Sequence, residues 1–318
     1  MVLAVIFIAI GIFLLAKGAD WLVDGAASLA RSFGVAPIVI GLTVVAFGTS
    51  MPELLVNLIS VTAGKPDIAI GNIVGSNIAN ILLILGISAV ITPLTIKSNT
   101  VWKEIPLALL AVVMVGVMVA DSALTGRSVN SLDAIDALAL LAFFVIFLYY
   151  TFGISKAEGE SGPEVKSMTN LRALGLVCVG LLALLVGGKL TVDGAITIAQ
   201  AMGIAERIIG LTVVAVGTSL PELVTSVAAA RKGQADIAVG NVVGSNIFNV
   251  FFILGVSGLL APLPFSPASM TDVLVAIGAA LLLFLAMFVG RRHLLERWQG
   301  VVFIGCYAVY VLSLVLLA

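Results

Sequence analysis

Charge is scarce in this chain. Only 10% of its 318 residues are Asp, Glu, Lys or Arg, with 16 basic against 17 acidic side chains and a net charge of −1. A soluble domain carries about 25% charged residues, so a chain that is also 61% hydrophobic reads as an integral membrane protein. No basic stripe is present to meet phosphates, which excludes nucleic-acid binding. There is one histidine, His293, and it sits in a basic loop where a surface role is expected. The two cysteines, Cys178 and Cys306, lie in separate apolar runs and are expected to be buried structural thiols, not a disulfide or a metal pair. With no HExxH and no histidine inside a span, neither zinc nor serine–histidine chemistry is supported, so no enzyme and no cofactor is expected. The N-terminus lacks the basic stretch of a cleaved signal, and Val2–Ala16 is expected to belong to the first span.

Long apolar runs are what the chain has instead. They predict an all-α polytopic fold of ten spans, at roughly 2–24, 37–62, 68–92, 102–121, 132–153, 171–194, 208–230, 236–260, 271–289 and 298–317. The one evident polar linker is Ser155–Asn170, which divides the chain into a first five-helix repeat (1–153), a linker (154–170) and a second five-helix repeat (171–318). Placing the N-terminus outside puts Arg31, Lys97, Lys103, Lys156, Lys166, Arg172, Arg231, Lys232, Arg291, Arg292 and Arg297 in inner loops. Only Lys65, Arg127 and Arg207 then remain outside. Basic residues favour the cytoplasmic side, so both termini are expected outside and the linker in the cytoplasm of a multi-pass protein. Compactness points to a prokaryotic inner membrane.

Two stretches repeat each other. Gly41–Asn80 reads GLTVVAFGTSMPELLVNLISVTAGKPDIAIGNIVGSNIAN, and Gly210–Asn249 reads GLTVVAVGTSLPELVTSVAAARKGQADIAVGNVVGSNIFN. About 24 of the 40 aligned positions are identical without a gap, far above chance for an internal repeat. The copies lie five spans apart, an odd number, so they must run in opposite directions. That is an inverted-topology repeat, with the substrate site expected at its interface near the membrane midplane.

The shared residues can hold a cation. Pro52 has no N–H and clashes with the carbonyl four residues back, and Gly48 adds a second weak point. A break there should release carbonyl oxygens from about Ala46 to Thr49, which a bilayer tolerates only where they face protein or a water-lined cavity. Glu53 then falls in the first turn of the resumed helix, where the helix dipole favours a carboxylate, with Thr49 and Ser50 near the same face. Ala215, Thr218, Ser219, Pro221 and Glu222 repeat the arrangement. In the next span Asn72, Ser76 and Asn80 form a polar stripe, matched by Asn241, Ser245 and Asn249. Gly71 with Gly75, and Gly240 with Gly244, form GxxxG motifs that let another helix approach closely. Two carboxylates with hydroxyl, amide and backbone oxygens suit hard cations such as Na⁺ and Ca²⁺, and suit Mg²⁺ less because it sheds water reluctantly. An acidic residue inside a span is costly and by default functional. For Asn72 and Asn241 a structural amide bond serves as well as an ion contact.

Other acids read as structural. Asp67 and Asp236 resemble helix N-caps. Asp24 and Asp193 are matched interfacial anchors, Lys17 is placed to pair with Asp20 or Asp24, and Asp121, Asp133 and Asp136 read as loop and cap residues.

At GTSMPE and GNIVGSNIAN, and again at GTSLPE and GNVVGSNIFN, the chain resembles the sodium/calcium exchangers of the cation/calcium antiporter superfamily. The resemblance spans essentially the whole chain and implies Na⁺/Ca²⁺ antiport by alternating access. By the same resemblance Glu53 and Glu222 are central ligands. Thr49, Thr218 and the backbones of Ala46 and Ala215 add oxygens, and Ser50, Ser219, Ser76 and Ser245 line Na⁺ positions. The first and sixth spans slide across the other eight. Asn80 and Asn249 belong to the ligand set as read from the stripe. Potassium-dependent relatives carry Asp at the position of Asn249, so K⁺-independent transport is expected here. The superfamily's proton/calcium exchangers carry Gly-Asn-Ala-X-Glu where this chain has Gly-Thr-Ser-X-Pro-Glu, which disfavours proton coupling. A proton-coupled or broader divalent-cation antiporter is the nearest alternative, and a passive cation channel a more distant one.

Overall fold

The structure is a computed structural model that describes residues 2–124, 126, 130–154, 168–202 and 215–317. Helix dominates because the runs are apolar and uninterrupted, and a backbone crossing lipid must satisfy its own hydrogen bonds. The long helices are α1 (Val2–Phe33), α4 (Pro66–Ile91), α5 (Ser98–Met118), α6 (Ala134–Gly153), α7 (Asn170–Ala201), α10 (Ala235–Leu260), α11 (Pro267–Ala286) and α12 (Arg297–Leu314). A further pair, α2 (Pro37–Thr49) and α3 (Met51–Thr62), is bent by 45° at Ser50. The second copy shows the short helices α8 (Ala215–Thr218) and α9 (Leu220–Arg231). The start of the expected seventh span and most of the linker, with Lys156, Lys166 and Arg207, lie outside the described residues, as does Arg127.

The central spans are α4 and α10, the most buried of all. Both contain a π-helical turn, at Asn80–Leu85 and at Phe248–Leu254. Such a turn inserts one residue and rotates the side chains that follow, and it recurs at functional sites. Phe248 and Phe252 stack at 4.8 Å and meet Phe144 of α6.

The first and sixth spans are longer than expected. Each runs 32 residues, and they pack along their whole length. The reason is a seven-residue spacing of small residues that sequence reading missed. Ala4, Gly11, Gly18 and Gly25 on α1 oppose Gly194, Gly187, Gly180 and Ala173 on α7. A Cβ at Gly11 would stand 2.7 Å from the Gly187 carbonyl oxygen, and one at Gly25 would stand 2.7 Å from that of Ala173. Only glycine permits backbones this close.

Two short antiparallel ribbons tie loops together. Leu94–Thr95 (β1) pairs with Leu294–Leu295 (β4), and Ser131–Leu132 (β2) pairs with Leu263–Pro264 (β3). Asp133 accepts from the Ile135 and Asp136 N–H groups and Asp136 accepts from that of Asp133, the capping arrangement expected for α6.

Several expectations are corrected. Cys178 and Cys306 are exposed on outward helix faces, because apolar residues in a membrane protein need not point inward. Asp67 and Asp236 sit in the first turns of α4 and α10, after Lys65 and Gln234 at the caps, and Asp236 pairs with Lys97 at 3.3 Å. Asp20 and Asp24 pair with Lys232, at 3.2 and 2.7 Å, instead of Lys17, since α1 packs against the end of α9. Asp193 pairs with Lys189 one turn back at 2.9 Å. His293 is half-buried at φ 60° with its ring against Phe288, not simply on the surface.

Candidate ion-binding site

The site begins where the helices break. Ser50 has φ −83°, ψ 8° and Ser219 has φ −86°, ψ 6°, both outside helical values, each one residue before a helix whose second position is proline. The break places Glu53 and Glu222 in the first turns of α3 and α9. Both are 1% exposed, and Thr49, Ser50, Ser76, Asn80, Ser219, Ser245 and Asn249 are buried with them. The Ala46 carbonyl is not set free as expected. It accepts the Ser50 N–H at 3.0 Å and the Thr49 hydroxyl at 3.3 Å. Thr218 lies in α8 and is half-buried; Ala215 begins that helix.

The two halves interlock. Ser50 donates to Glu222 Oε1 at 3.0 Å, while Ser219 donates to Glu53 Oε1 at 3.3 Å, and Ser76 also donates to Glu53 Oε1 at 3.4 Å. Each carboxylate is therefore anchored through one oxygen by a serine of the opposite repeat.

Asn72 and Asn241 resolve to the structural alternative. Asn72 donates to the Glu53 carbonyl at 3.2 Å and to Asn57 Oδ1 at 2.8 Å. Asn241 donates to the Glu222 carbonyl at 3.3 Å and to Ser226 Oγ at 2.9 Å. They brace the helices that carry the carboxylates. Asn241 also accepts from Thr49 at 3.0 Å, crossing the repeat boundary. The GxxxG expectation is met in the second copy, where Gly240 and Gly244 lie against Gly41 and Leu42. For Gly71 and Gly75 a Cβ would meet nothing within 4 Å among the described residues, and the repeat counterparts of Gly41 and Leu42 are not among them. Of the segment matching α2 in the second half, residues 206–218, the part 206–214 lies outside the described residues and the remainder is α8.

Two asparagines that sequence reading passed over stand beside the ligand set. Asn77 and Asn246 follow the matched serines directly, and their identity in both copies was the available signal. Asn80 donates to Asn246 Oδ1 at 2.9 Å and Asn249 donates to Asn77 Oδ1 at 3.0 Å.

Five buried oxygens of the candidate set are left over, the Ser245 hydroxyl and four carboxylate or amide acceptors. Glu53 Oε2, Glu222 Oε2, Asn80 Oδ1 and Asn249 Oδ1 are buried and accept no hydrogen bond among the described residues. Burying a charged oxygen without a partner costs several kcal/mol, and a buried amide oxygen roughly 1–3 kcal/mol. Two carboxylates and two amides, all oxygen and related by the repeat, match the chemistry of a hard cation.

Comparison with known proteins decides the family. The family model described as sodium/calcium exchanger protein matches residues 3–153 and 172–316. This chain belongs to the sodium/calcium exchanger family. It is 35% identical over 348 residues to the sodium/calcium exchanger MaX1 of Methanosarcina acetivorans, covering 97% of each chain. It is also 35% identical to the inner membrane protein YrbG of Escherichia coli, covering 99% of this chain and 97% of that one. Its fold is similar to that of the sodium-calcium exchanger NCX_Mj soaked with 10 mM Na⁺ and zero Ca²⁺, with a TM-score of 0.85, 38% identity, and 98% and 99% of the two chains covered.

Proposed function

We propose that this protein is a secondary antiporter that exchanges Na⁺ for Ca²⁺ across a prokaryotic cell membrane by alternating access. Glu53, Glu222, Asn80 and Asn249 coordinate the divalent cation. Thr49, Thr218, Ser50, Ser219, Ser76, Ser245 and the backbone of Ala215 complete the cation positions, while the Ala46 carbonyl is occupied by the Ser50 N–H and the Thr49 hydroxyl. The observation that carries this reading is the set of four buried acceptor oxygens without donors. The charge of −2 on the two carboxylates balances one Ca²⁺, and can be shared among Na⁺ ions with hydroxyl help.

Ten crossings are supported by parity. β1 pairs with β4, so an even number of crossings separates them. Five apolar helices lie between, namely α5, α6, α7, α10 and α11, and the segment containing α8 and α9 supplies the sixth. Lys97, Arg291 and Arg292 adjoin the ribbon strands in sequence, and Lys97 pairs with Asp236, four residues after Lys232, which favours this face as cytoplasmic, with both termini opposite.

The continuous α1–α7 seam supports motion of these two helices as one body relative to the rest. Asn249, in place of a third carboxylate, supports K⁺-independence. The test is the choice of counter-ion: Ca²⁺ flux in vesicles with Na⁺, H⁺ or K⁺ gradients imposed one at a time at clamped potential. Na⁺ alone should drive exchange. Drive by H⁺ alone would favour the proton-coupled alternative, and a K⁺ requirement would overturn the assignment at Asn249.

A further inference from the structure

Asn80 and Asn249 can serve a cation only if their amide oxygens, not their NH₂ groups, face it. The two ends of an amide have nearly the same shape, so something must choose between them. The choice is made by a chain of bonds that starts at the backbone. The Asn246 main-chain carbonyl accepts from Asn77 Nδ2 at 3.3 Å, and the Asn77 main-chain carbonyl accepts from Asn246 Nδ2 at 3.4 Å. A backbone carbonyl has no proton to give, so in this geometry each of these side chains must present its nitrogen to it. Asn77 Oδ1 and Asn246 Oδ1 therefore point the other way, where they accept from Asn249 Nδ2 at 3.0 Å and Asn80 Nδ2 at 2.9 Å. The nitrogens of the two ligand amides are thus committed, and their oxygens are buried without a donor among the described residues.

We propose that Asn77 and Asn246 are positioning residues that fix the orientation of the Asn249 and Asn80 amides, so that only oxygen is offered to the cation. Each reaches across the repeat boundary, so the first repeat orients the amide ligand of the second and the second that of the first. Both side chains are 2% exposed, and both ends of each amide are engaged in the bonds just described. Without them a ligand amide can turn its NH₂ toward the site, presenting positive dipole to the cation. This inference rests on the reading of Asn80 and Asn249 as ligands.

The test uses a ligand that needs no orienting. A carboxylate offers oxygen at both ends, so Asn249→Asp makes the choice irrelevant. Half-saturation by Ca²⁺ is measured in the purified exchanger for Asn77→Ala, Asn249→Asp and the double variant, and for the matched set Asn246→Ala, Asn80→Asp and their double. Thermal unfolding without Ca²⁺ serves as the readout of stability. Loss of one oriented ligand should weaken Ca²⁺ binding about tenfold, the equivalent of one hydrogen bond to a charged group. That loss should shrink to less than about threefold when the partner is Asp. An equal loss in the Asn and Asp backgrounds, tracking a fall in unfolding temperature, would mean a merely structural role and overturn the inference. If one single alanine variant fails to fold, the matched set decides. Asn249→Ala separates the two levels: unchanged Ca²⁺ affinity there overturns the ligand reading itself, whereas a loss there with none in Asn77→Ala and Asn246→Ala overturns only the positioning role.

Discussion

Ser50 donates a hydrogen bond to Glu222 at 3.0 Å, although 172 residues separate them in the chain. Its counterpart, Ser219 to Glu53, closes the same contact from the other side. The carboxylates are held by the opposite halves of the protein, so each half completes the other's proposed ion site. Ser50→Ala and Ser219→Ala remove a donor from a buried carboxylate and, on the proposed assignment, a hydroxyl oxygen from the cation. A hydrogen bond to a charged group is worth about 1.5–3 kcal/mol, so the Na⁺ concentration that half-activates exchange should rise at least about tenfold. Na⁺-dependent Ca²⁺ efflux measures this, and unchanged half-activation in both variants would remove the serines from the Na⁺ positions.

The α1–α7 seam makes opposite predictions for two glycines on one helix. A Cβ at Gly187 would stand 2.8 Å from the Gly11 carbonyl oxygen, whereas one at Gly175 meets nothing within 4 Å among the described residues. Gly187→Ala should destabilise by about 1–3 kcal/mol through overpacking. Gly175→Ala should be neutral or stabilise by up to about 1 kcal/mol from helix propensity. Thermal unfolding in detergent distinguishes them, and equal behaviour would mean that the seam is not close-packed.

Cation selectivity follows from the donor set. Ca²⁺ and Sr²⁺ accept irregular shells of protein oxygens, while Mg²⁺ demands octahedral geometry and keeps its waters. Sr²⁺ should compete with isotopic Ca²⁺ at comparable concentration, and Mg²⁺ should not compete even in roughly hundredfold excess. Effective block by Mg²⁺ would show that the site is wetter than its buried carboxylates imply.

The duplicated motif made the fold legible and brought most of the candidate site residues to notice. Glu53 and Glu222 were readable because an acid inside an apolar run is costly, and the same one occurs twice beside a proline. The bend at Ser50 follows from Pro52, whose missing N–H is a local property. What escaped the sequence depends on partners. Asn77 looks like Asn72 and Asn80 until the contact with Asn246 is seen, and the π-helical turns that re-aim this face have no sequence signature of comparable strength. The small residues of α1 and α7 are spread among the other glycines of the chain, and only the pairing of the two helices distinguishes them. Cys178 was misplaced because hydrophobicity does not separate a lipid-facing position from a core position in a membrane.

The central claim is that the buried carboxylate pair couples Ca²⁺ movement to Na⁺. The most direct measurement is Ca²⁺ uptake into proteoliposomes loaded with Na⁺ or with choline, for the wild-type protein and for Glu53→Gln. Uptake should require internal Na⁺ and should fall to background in the variant while the protein still inserts and folds. Uptake from choline-loaded vesicles, or Na⁺-driven uptake that survives Glu53→Gln, would contradict the account.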